Sequence, residues 1–210
     1  MYRFTKRAGD IVGTFLLLGL VSPLLLLASI CIALHDHGPV FYRARRVGRS
    51  GKPFIMYKFR TMVLNADKIG ASSTADDDPR ITPIGRFLRQ YKLDELPQLF
   101  NVLGGTMSLV GPRPQVQWAV DLYNPEERRV LDVVPGITDY ASLYFSNEGE
   151  ILKGSMDPDK DYMEKIHPIK MKLSLQYVAE RSFFTDLKVL WLTVLTVIGV
   201  RRPDNLSRTK

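Results

Sequence analysis

The feature that most constrains this chain is a long uncharged stretch near its start. No charged side chain occurs over residues 11–34, and about 20 apolar residues are enough for a helix to cross the hydrocarbon core of a bilayer. Basic residues precede the stretch, as in a secretory signal, but the apolar core of such a signal is only about 7–15 residues long. The stretch therefore predicts a membrane segment that the protein retains.

A proline lies in the middle of this segment. Pro23 lacks the N–H of a regular helical hydrogen bond and its ring presses on the carbonyl group of Gly19, while the Ser22 hydroxyl can donate to a freed carbonyl oxygen. Each half is roughly 16–18 Å long as a helix, about half of the ~30 Å hydrocarbon core. We predict a re-entrant hairpin over residues 1–36 that turns back at Ser22-Pro23. A kinked helix that spans the membrane is the alternative.

Basic residues on both sides of the segment favour re-entry. Positive charge marks the cytoplasmic side of a membrane segment, so a helix that leaves and returns on one face accommodates both flanks. The chain carries 29 basic and 22 acidic residues and a formal net charge of +7, which favours anionic partners. The basic residues before the segment are Arg3, Lys6 and Arg7, and those that follow it are Arg43, Arg45, Arg46, Arg49, Lys52, Lys58 and Arg60.

The rest of the chain predicts an α+β, mainly helical domain over residues 37–184. Two short apolar runs, 40–42 and 54–59, flank the turn-prone Gly48-Arg49-Ser50-Gly51 and predict a small β-hairpin. Residues 135 and 136 predict a turn, and the helices are predicted at 61–70, 84–91, 96–103, 125–134 and in a longer segment that ends near residue 181. An apolar helix over 185–200 is predicted to lie either at the membrane surface or in the core, and 201–210 form a basic tail.

Two adjacent carboxylates, Asp94 and Glu95, precede the predicted helix over 96–103. Such a pair most often caps a helix and meets the positive end of its dipole. Basic residues change that interpretation, because Arg86, Arg89 and Lys92 precede the pair and a rigid Gly111-Pro112-Arg113-Pro114 turn follows the helix. A carboxylate can attack phosphorus when cations neutralise the phosphate oxygens. The cluster therefore indicates phosphoryl chemistry beside a membrane segment.

Several longer motifs resemble those of the bacterial sugar transferase family, the small monotopic phosphoglycosyl transferases. The likeness covers nearly the whole chain and includes the Ser22-Pro23 pair. The motifs that carry it are residues 57–62 (YKFRTM), 78–85 (DPRITPIG), 93–101 (LDELPQLFN), 107–114 (MSLVGPRP) and 135–138 (PGIT).

The resemblance implies a reaction and a fold. The reaction is transfer of a sugar 1-phosphate from a UDP-sugar to undecaprenyl phosphate, which releases UMP, with an N-acetylated sugar expected and a deoxy sugar as a narrower option. The fold is that of a monotopic membrane protein, with surface-lying amphipathic helices and a catalytic domain on the cytoplasmic face of the bacterial inner membrane. Inner-membrane lipid is an expected partner, nucleic acid is not, and a homodimer is compatible with the resemblance.

The resemblance also implies roles for individual residues. Asp94 would form a covalent phosphosugar and bind Mg²⁺, and Glu95 would assist the incoming lipid phosphate. The candidates for holding phosphates are Lys58, Arg60, Arg80 and Arg113.

One stretch departs from the family pattern. Many relatives have a Gly-Trp or Gly-Leu and then a Gly-Arg after the Pro-Gly-Ile-Thr motif, whereas here residues 139–148 contain no arginine. Asn147 and Glu148 are candidates for bonding sugar hydroxyl or acetamido groups, and a solvated loop is the alternative.

A different function class remains open at this point. A non-catalytic, membrane-anchored basic domain that binds acidic lipid or nucleic acid would also show basic flanks. That class leaves the Asp94-Glu95 pair and the fixed Arg113 unexplained.

Overall fold

The computed structural model describes residues 2–199, so the predicted basic tail lies outside the described residues. The fold is α+β and mainly helical, as predicted. Short 3₁₀ segments cover Arg49–Gly51, Ala66–Lys68, Leu93–Glu95 and Glu127–Asp132, and a π-helical turn covers Tyr162–Ile166. The helices and strands are α1 (Tyr2–Asp36), β1 (Phe41–Val47), β2 (Pro53–Phe59), α2 (Pro83–Gln90), α3 (Gln98–Leu103), β3 (Ser108–Val110), α4 (Gln117–Asp121), β4 (Gly136–Thr138), α5 (Tyr140–Tyr144), α6 (Glu148–Ile151), α7 (Pro158–Asp161), α8 (His167–Glu180) and α9 (Phe183–Val197).

Strands β1 and β2 form the predicted hairpin. They pair antiparallel, from Phe41 opposite Phe59 to Val47 opposite Pro53. The connection adopts left-handed backbone at Ser50 (φ 58°) and Gly51 (φ 74°), which a glycine tolerates at no steric cost. Ala44 and Met56 belong to the main hydrophobic core, and Val47 and Phe59 are buried in two other hydrophobic clusters. The hairpin thereby fixes β2, which carries Lys58, against the core.

A second strand pair was not predicted. The turn expected at Pro135-Gly136 opens β4, which pairs parallel with β3. The backbones approach closely here, since a Cβ on Gly136 would lie 2.0 Å from Gly111 N and one on Gly111 would lie 2.6 Å from Val134 O. The Gly136 N–H donates to Pro112 O at 3.0 Å. These contacts fix the turn that holds Arg113.

Helix α1 runs through Pro23 as one continuous helix. The Ser22 hydroxyl donates to Gly19 O at 3.2 Å, as predicted for the residues that flank the proline. This helix is long and apolar enough to cross a membrane, and large apolar side chains along it are exposed, including Phe15, Leu16 and Leu20. The structure therefore bears out an apolar N-terminal helix, while its turn-back within a membrane stays a prediction.

Both ends of α1 contact the same globular domain. Near the start, Arg7 donates to the carbonyl oxygens of Val102 and Leu103 at 2.5 and 2.7 Å, and Asp10 accepts from Leu109 N at 3.1 Å. Near the end, Ala28 and Ile32 pack with Phe59 and Leu88. Asp36 then accepts two N–H groups of Arg60.

Helix α9 is buried on one side only. Asp186, Val189 and Leu192 are buried, and Val189 and Leu192 belong to the main hydrophobic core. Phe184 and Trp191 are exposed. One face of this helix therefore packs in the core, and the membrane-surface alternative stays a prediction for the other face.

Two predicted helices are wrong. The segment 61–70 forms only the 3₁₀ turn Ala66–Lys68, because Met62 pairs with Ile81 and Asn65 adopts left-handed backbone (φ 58°). The segment 125–134 contains only the 3₁₀ segment Glu127–Asp132, at whose start the Asn124 side chain accepts the N–H groups of Glu126 and Glu127. A bridge to a distant segment therefore replaces the first helix, and local side-chain hydrogen bonds compete with the second.

Candidate active site

The site is built at the junction between α2 and α3. Lys92 adopts left-handed backbone (φ 56°) after the end of α2, and the chain then enters the 3₁₀ turn Leu93–Glu95. Leu96 and Pro97 keep helical backbone angles and lead into α3. Asp94 and Glu95 thus lie on the first turn of one nearly continuous helical segment that packs against β2.

Glu95 is held by two cations from distant parts of the chain. Arg113, on the turn after β3, donates Nη1–H to Oε2 at 2.9 Å and Nη2–H to Oε1. Lys58, at the end of β2, donates to Oε1 at 3.1 Å. The geometry is a two-pronged arginine–carboxylate pair with a lysine on the same acid, which is a strong charge-assisted arrangement.

Within this cluster, burial and the neighbouring charges shift the pKa values in opposite directions. Burial raises the pKa of Glu95, but the stronger combined effect of Arg113 and Lys58 holds that pKa well below its usual range. Burial lowers the pKa of Lys58, against the effect of Glu95. Burial likewise favours a lower pKa for Arg113, but Glu95 outweighs it and the pKa of Arg113 is raised. Glu95 is therefore ionised between two cations that can also face phosphate oxygens.

Asp94 differs from its neighbour. It is only 7% exposed, its nearest cation is Lys58 at 4.0 Å, and no residue between 2 and 199 donates a hydrogen bond to its carboxylate. Burial raises the pKa of Asp94 above its ordinary value, Lys58 opposes that shift, and the charge of Glu95 adds to it. A carboxylate with no hydrogen bond beside cations is available for attack on an electrophile.

A second group of charged residues adjoins Arg113. Lys170, on α8, donates to Glu148 Oε2 at 2.5 Å and lies 5.0 Å from the centre of the Tyr162 ring. The charge of Glu148 contributes to the raised pKa of Arg113, and Arg113 contributes to the lowered pKa of Arg46, whose main cause is burial. Glu148 is thus placed beside the site.

Sequence reasoning missed three members of this second group. The sequence showed Arg46 as one of the basic residues that follow the membrane segment, but it did not predict that Arg46 lies near Arg113. Lys170 and Tyr162 gave no local signal, because only the packing of α8 and the π-helical turn brings them near Arg113.

Asn147, which was named from the sequence as a candidate for sugar recognition, directly precedes α6. Its side chain donates to Glu150 at 3.3 Å.

Two predicted phosphate-binding arginines lie in other ion pairs. Arg60 is buried and donates to Asp36 at the end of α1. Arg80 donates to Asp78 at 2.7 Å and to the carbonyl oxygens of Ala66 and Ala71. Within residues 2–199, no hydrogen bond or ion pair joins either arginine to Asp94 or Glu95, so their phosphate-binding role stays a prediction.

The donor set can accommodate a magnesium ion only together with a substrate. The described residues contain no group of three histidine, cysteine or acidic side chains that could enclose a metal. Glu95 is occupied by Arg113 and Lys58, which leaves the Asp94 carboxylate. Mg²⁺ is commonly held by one or two carboxylates and the phosphates of a substrate. The residues present fit that mode, with Asp94 as the protein ligand.

Comparisons with known proteins identify the family of this chain. The family model described as bacterial sugar transferase matches residues 1–200. One relative, the UDP-glucose:undecaprenyl-phosphate glucose-1-phosphate transferase of Escherichia coli (strain K12), is 38% identical over 200 residues, which are 91% of this chain and 40% of that protein. Another, an undecaprenyl-phosphate galactose phosphotransferase of Salmonella typhimurium, is 36% identical over 211 residues, which are 93% of this chain and 41% of that protein.

A third relative is similar in length to this chain. The uncharacterized sugar transferase EpsL of Bacillus subtilis is 38% identical over 205 residues, which are 96% of this chain and 93% of that protein. The chain therefore spans less than half of the two longer relatives but nearly all of this one. The match to the family model over residues 1–200 shows that the chain belongs to the bacterial sugar transferase family.

Proposed function

We propose that this protein transfers a sugar 1-phosphate from a UDP-sugar to undecaprenyl phosphate and releases UMP. The single observation that carries the proposal is the Asp94-Glu95 pair, in which one carboxylate is ion-paired by Arg113 and Lys58 and the other lacks a hydrogen bond within the described residues. The names of the relatives support the same reaction, because they act on undecaprenyl phosphate and a sugar phosphate. A non-catalytic basic domain would not require one of two adjacent acids to be ion-paired and the other to lack a hydrogen bond.

In the first half-reaction, Asp94 is the nucleophile. A carboxylate oxygen of Asp94 forms a bond to the phosphorus that carries the sugar, and the bond from that phosphorus to the bridging oxygen breaks. The electron pair leaves with UMP, and the sugar phosphate remains on Asp94 as an acyl phosphate. Lys58 and Arg113 are the cations that face the phosphate oxygens, where positive charge stabilises the transition state.

In the second half-reaction, an oxygen of undecaprenyl phosphate attacks the same phosphorus. The bond between Asp94 and phosphorus breaks, the carboxylate is regenerated, and undecaprenyl diphosphate-sugar is formed. Glu95 keeps Arg113 and Lys58 in place, and it accepts the proton of a singly protonated lipid phosphate once these cations move towards the phosphates. This role requires the low pKa of Glu95 to rise when its cations are shared.

A divalent ion completes the charge balance. Asp94 must approach an anionic diphosphate in a site of low dielectric constant, where like charges repel strongly. Mg²⁺ would neutralise phosphate oxygens when bound, with Asp94 as the ligand from the protein. Lys58 remains 4.0 Å from Asp94 and favours its ionised form.

The sugar is proposed to be N-acetylated, with recognition by the segment near Glu148. Relatives differ here, since one protein of Aeromonas hydrophila is named for N-acetylgalactosamine and others for glucose or galactose. Glu148 lies beside Arg113 and Lys170, within reach of a group attached to the transferred phosphate. The Asn147 amide, which bonds Glu150 at 3.3 Å, would have to turn to contact the sugar.

Membrane attachment is proposed to be monotopic, on the cytoplasmic face of the inner membrane. Arg7 and Asp10 bind the domain at one end of α1, and Asp36 binds it at the other. A helix with both ends on one domain cannot have those ends on opposite sides of a bilayer while these contacts persist. The exposed apolar side chains between the ends would then enter the membrane from one face.

The reaction is tested by assaying UMP release. Purified protein is incubated with undecaprenyl phosphate, Mg²⁺ and, in separate assays, UDP-glucose, UDP-galactose or UDP-N-acetylgalactosamine. We expect release with at least one sugar, and loss of release in excess chelator that added Mg²⁺ restores. No release with any of these sugars, together with binding to acidic lipid vesicles, would favour the non-catalytic basic domain.

Topology is tested by cysteine labelling. In a Cys31→Ser background, Thr5→Cys and Arg49→Cys report on the two sides of the membrane segment. We expect a membrane-impermeant thiol reagent to label neither position in intact cells and both after permeabilisation. Labelling of one position alone in intact cells would show a spanning helix and refute re-entry.

A further inference from the structure

A buried amide near the proposed nucleophile has no hydrogen-bond partner. Gln98 is 0% exposed, and neither its Oε1 nor its Nε2 has a partner among the described residues. Burying an amide without hydrogen bonds destabilises a folded protein, and such groups are rare. An isolated amide at this position therefore calls for a partner that forms at another stage of the reaction.

Gln98 and Asp94 both lie on the buried face of this segment. The 3₁₀ turn Leu93–Glu95 continues through Leu96 and Pro97, both with helical backbone angles, into α3. Backbone hydrogen bonds here join residues three apart, as from Leu96 N to Leu93 O, and each side chain of a helical segment leans towards the preceding turn. The side chain of Gln98 thus covers the turn that carries Asp94.

The next residue on this face shows what it contacts. Asn101 lies on α3, and its Nδ2 donates to Ile55 O at 2.7 Å while its Oδ1 accepts from Tyr57 N at 2.9 Å. At the other end of the face, Asp94 lies 4.0 Å from Lys58, also on β2. Gln98 lies between these two positions, and its side chain has no hydrogen-bond partner among the described residues.

Asp94 and Gln98 are complementary in what they lack. The Asp94 carboxylate accepts no hydrogen bond from residues 2–199, and the Gln98 amide offers two N–H donors without an acceptor. The two side chains lie on adjacent turns of the same segment. Asp94 is 7% exposed and Gln98 is fully buried, so Asp94 is the more accessible of the two to an entering substrate.

We propose that Gln98 is a positioning residue for Asp94. Its Nε2–H donates to one carboxylate oxygen, and this bond turns the other oxygen towards the phosphorus that is attacked. After attack, the same N–H donates to the carbonyl oxygen of the acyl phosphate. The inference rests on the proposed role of Asp94. Because Gln98 does not touch the substrate, it affects the rate of the chemical step and not the binding of the UDP-sugar.

The test uses Gln98→Met, which keeps an unbranched side chain and removes both polar atoms. We expect single-turnover UMP release to slow by about tenfold to a hundredfold, as misorientation of a reacting group does. The KM for the UDP-sugar that the wild type uses should stay within about twofold, and the Tm should be equal or higher because an unpaired buried amide is removed. Gln176→Met, at an exposed glutamine of α8, is the matched control and should change neither rate nor Tm.

Other outcomes would overturn this inference. An unchanged rate of UMP release in Gln98→Met would show that the amide does not position Asp94. A lower Tm with a parallel loss of rate, as expected for Leu99→Ala in the adjacent core, would show that Gln98 has a structural hydrogen bond, for example to an ordered water.

The same experiment separates this inference from the proposed function. If wild type releases UMP, Asp94→Asn does not and Gln98→Met is as fast as wild type, the inference about Gln98 alone fails. If wild type releases no UMP with any UDP-sugar, or Asp94→Asn is fully active, the proposed function fails and the inference fails with it.

Discussion

Two arginine–carboxylate pairs in this protein have similar geometry and different surroundings. Arg113 donates two N–H groups to Glu95, and Arg60 donates two to Asp36 at the end of α1. Next to Glu95 in the chain stands Asp94, a buried acid with no hydrogen bond in the described part of the chain. Next to Asp36 stand His35 and His37. An arginine–carboxylate pair alone does not distinguish the candidate active site from the Arg60–Asp36 anchor, which holds the end of α1 to the domain. The adjacent acid without a hydrogen bond does distinguish them.

The surroundings of the two pairs come closest to each other in the chain at the end of β2. Lys58 and Arg60 are two residues apart, yet Lys58 binds Glu95 and Arg60 binds Asp36. One end of a strand therefore supplies a cation to the candidate active site and another to the membrane helix. The contact that docks the end of α1 and the contact that holds Glu95 thus lie two residues apart in the chain.

The largest effect is expected for Asp94→Asn. Loss of the nucleophile should reduce UMP release by roughly 10³-fold or more. Because burial raises the pKa of Asp94, its ionised form is disfavoured in the folded protein, and the neutral amide should leave Tm at pH 7 unchanged or higher. The measurements are UMP release and thermal unfolding, with the exposed Asp67→Asn as control. Near-normal release from Asp94→Asn would place the chemistry elsewhere.

A smaller but still large effect is expected for Arg113→Gln and Lys58→Met. Removing one group that stabilises charge in the transition state costs about 10²–10³-fold in rate. Each change also leaves Glu95 with one cation fewer, so Tm should fall. Arg128→Gln and Lys172→Met, at exposed positions, are the controls. Full activity in both site variants would contradict the assignment of these cations to the phosphates.

A moderate effect is expected on the pH dependence of the first half-reaction. Asp94 attacks only when ionised, and burial raises its pKa above 3.8, so single-turnover UMP release should rise with pH through a pKa above that value. The charge of Glu95 contributes to this shift. In Glu95→Gln the acid limb of the pH–rate profile should therefore move to lower pH. An acid limb at the same pH in both proteins would show that another group controls it.

The smallest effect on catalysis is expected for Arg60→Gln. It should lower Tm by leaving the end of α1 without its ion pair, and reduce the rate per folded molecule much less than Arg113→Gln. The double variant Arg60→Gln/Asp36→Asn should recover part of the lost Tm, since neither charge is then left alone. If Arg60→Gln loses as much activity as Arg113→Gln at unchanged Tm, Arg60 holds phosphate. The conclusion that Arg60 only holds α1 to the domain would then be wrong.

The parts of the fold that could be predicted are those specified by local sequence. Short apolar runs on either side of the turn-prone Gly48 to Gly51 defined the hairpin, and the helical spacing over 84–91 and 96–103 defined α2 and α3. The β3–β4 pair could not be predicted, because three-residue strands show no period and their pairing depends on the close approach of Gly111 and Gly136. The segment 61–70 was misassigned because a bridge to Ile81 outweighs its helical pattern.

The site was predictable to the extent that charge and motif define it. Asp94, Glu95, Lys58 and Arg113 were all named from the sequence, and the structure brings them together. Arg80 was named through the family resemblance, but the acid two residues before it is close enough in the chain to pair with it. Gln98 lies within the motif over 93–101, but its unpartnered amide could not be predicted, since burial and lack of partners are properties of packing.

The contacts of α1 also have a consequence for how the protein is made. Lys6 binds Asp186 at 2.8 Å, and these residues are separated by 180 positions in the chain. At about 5–20 residues per second on the ribosome, roughly 10–35 s pass between the synthesis of α1 and that of its partner on α9. During this interval the apolar helix can reach a membrane before α9 exists. The contacts that fix α1 in place are therefore completed only after the residues of the candidate active site have been synthesised.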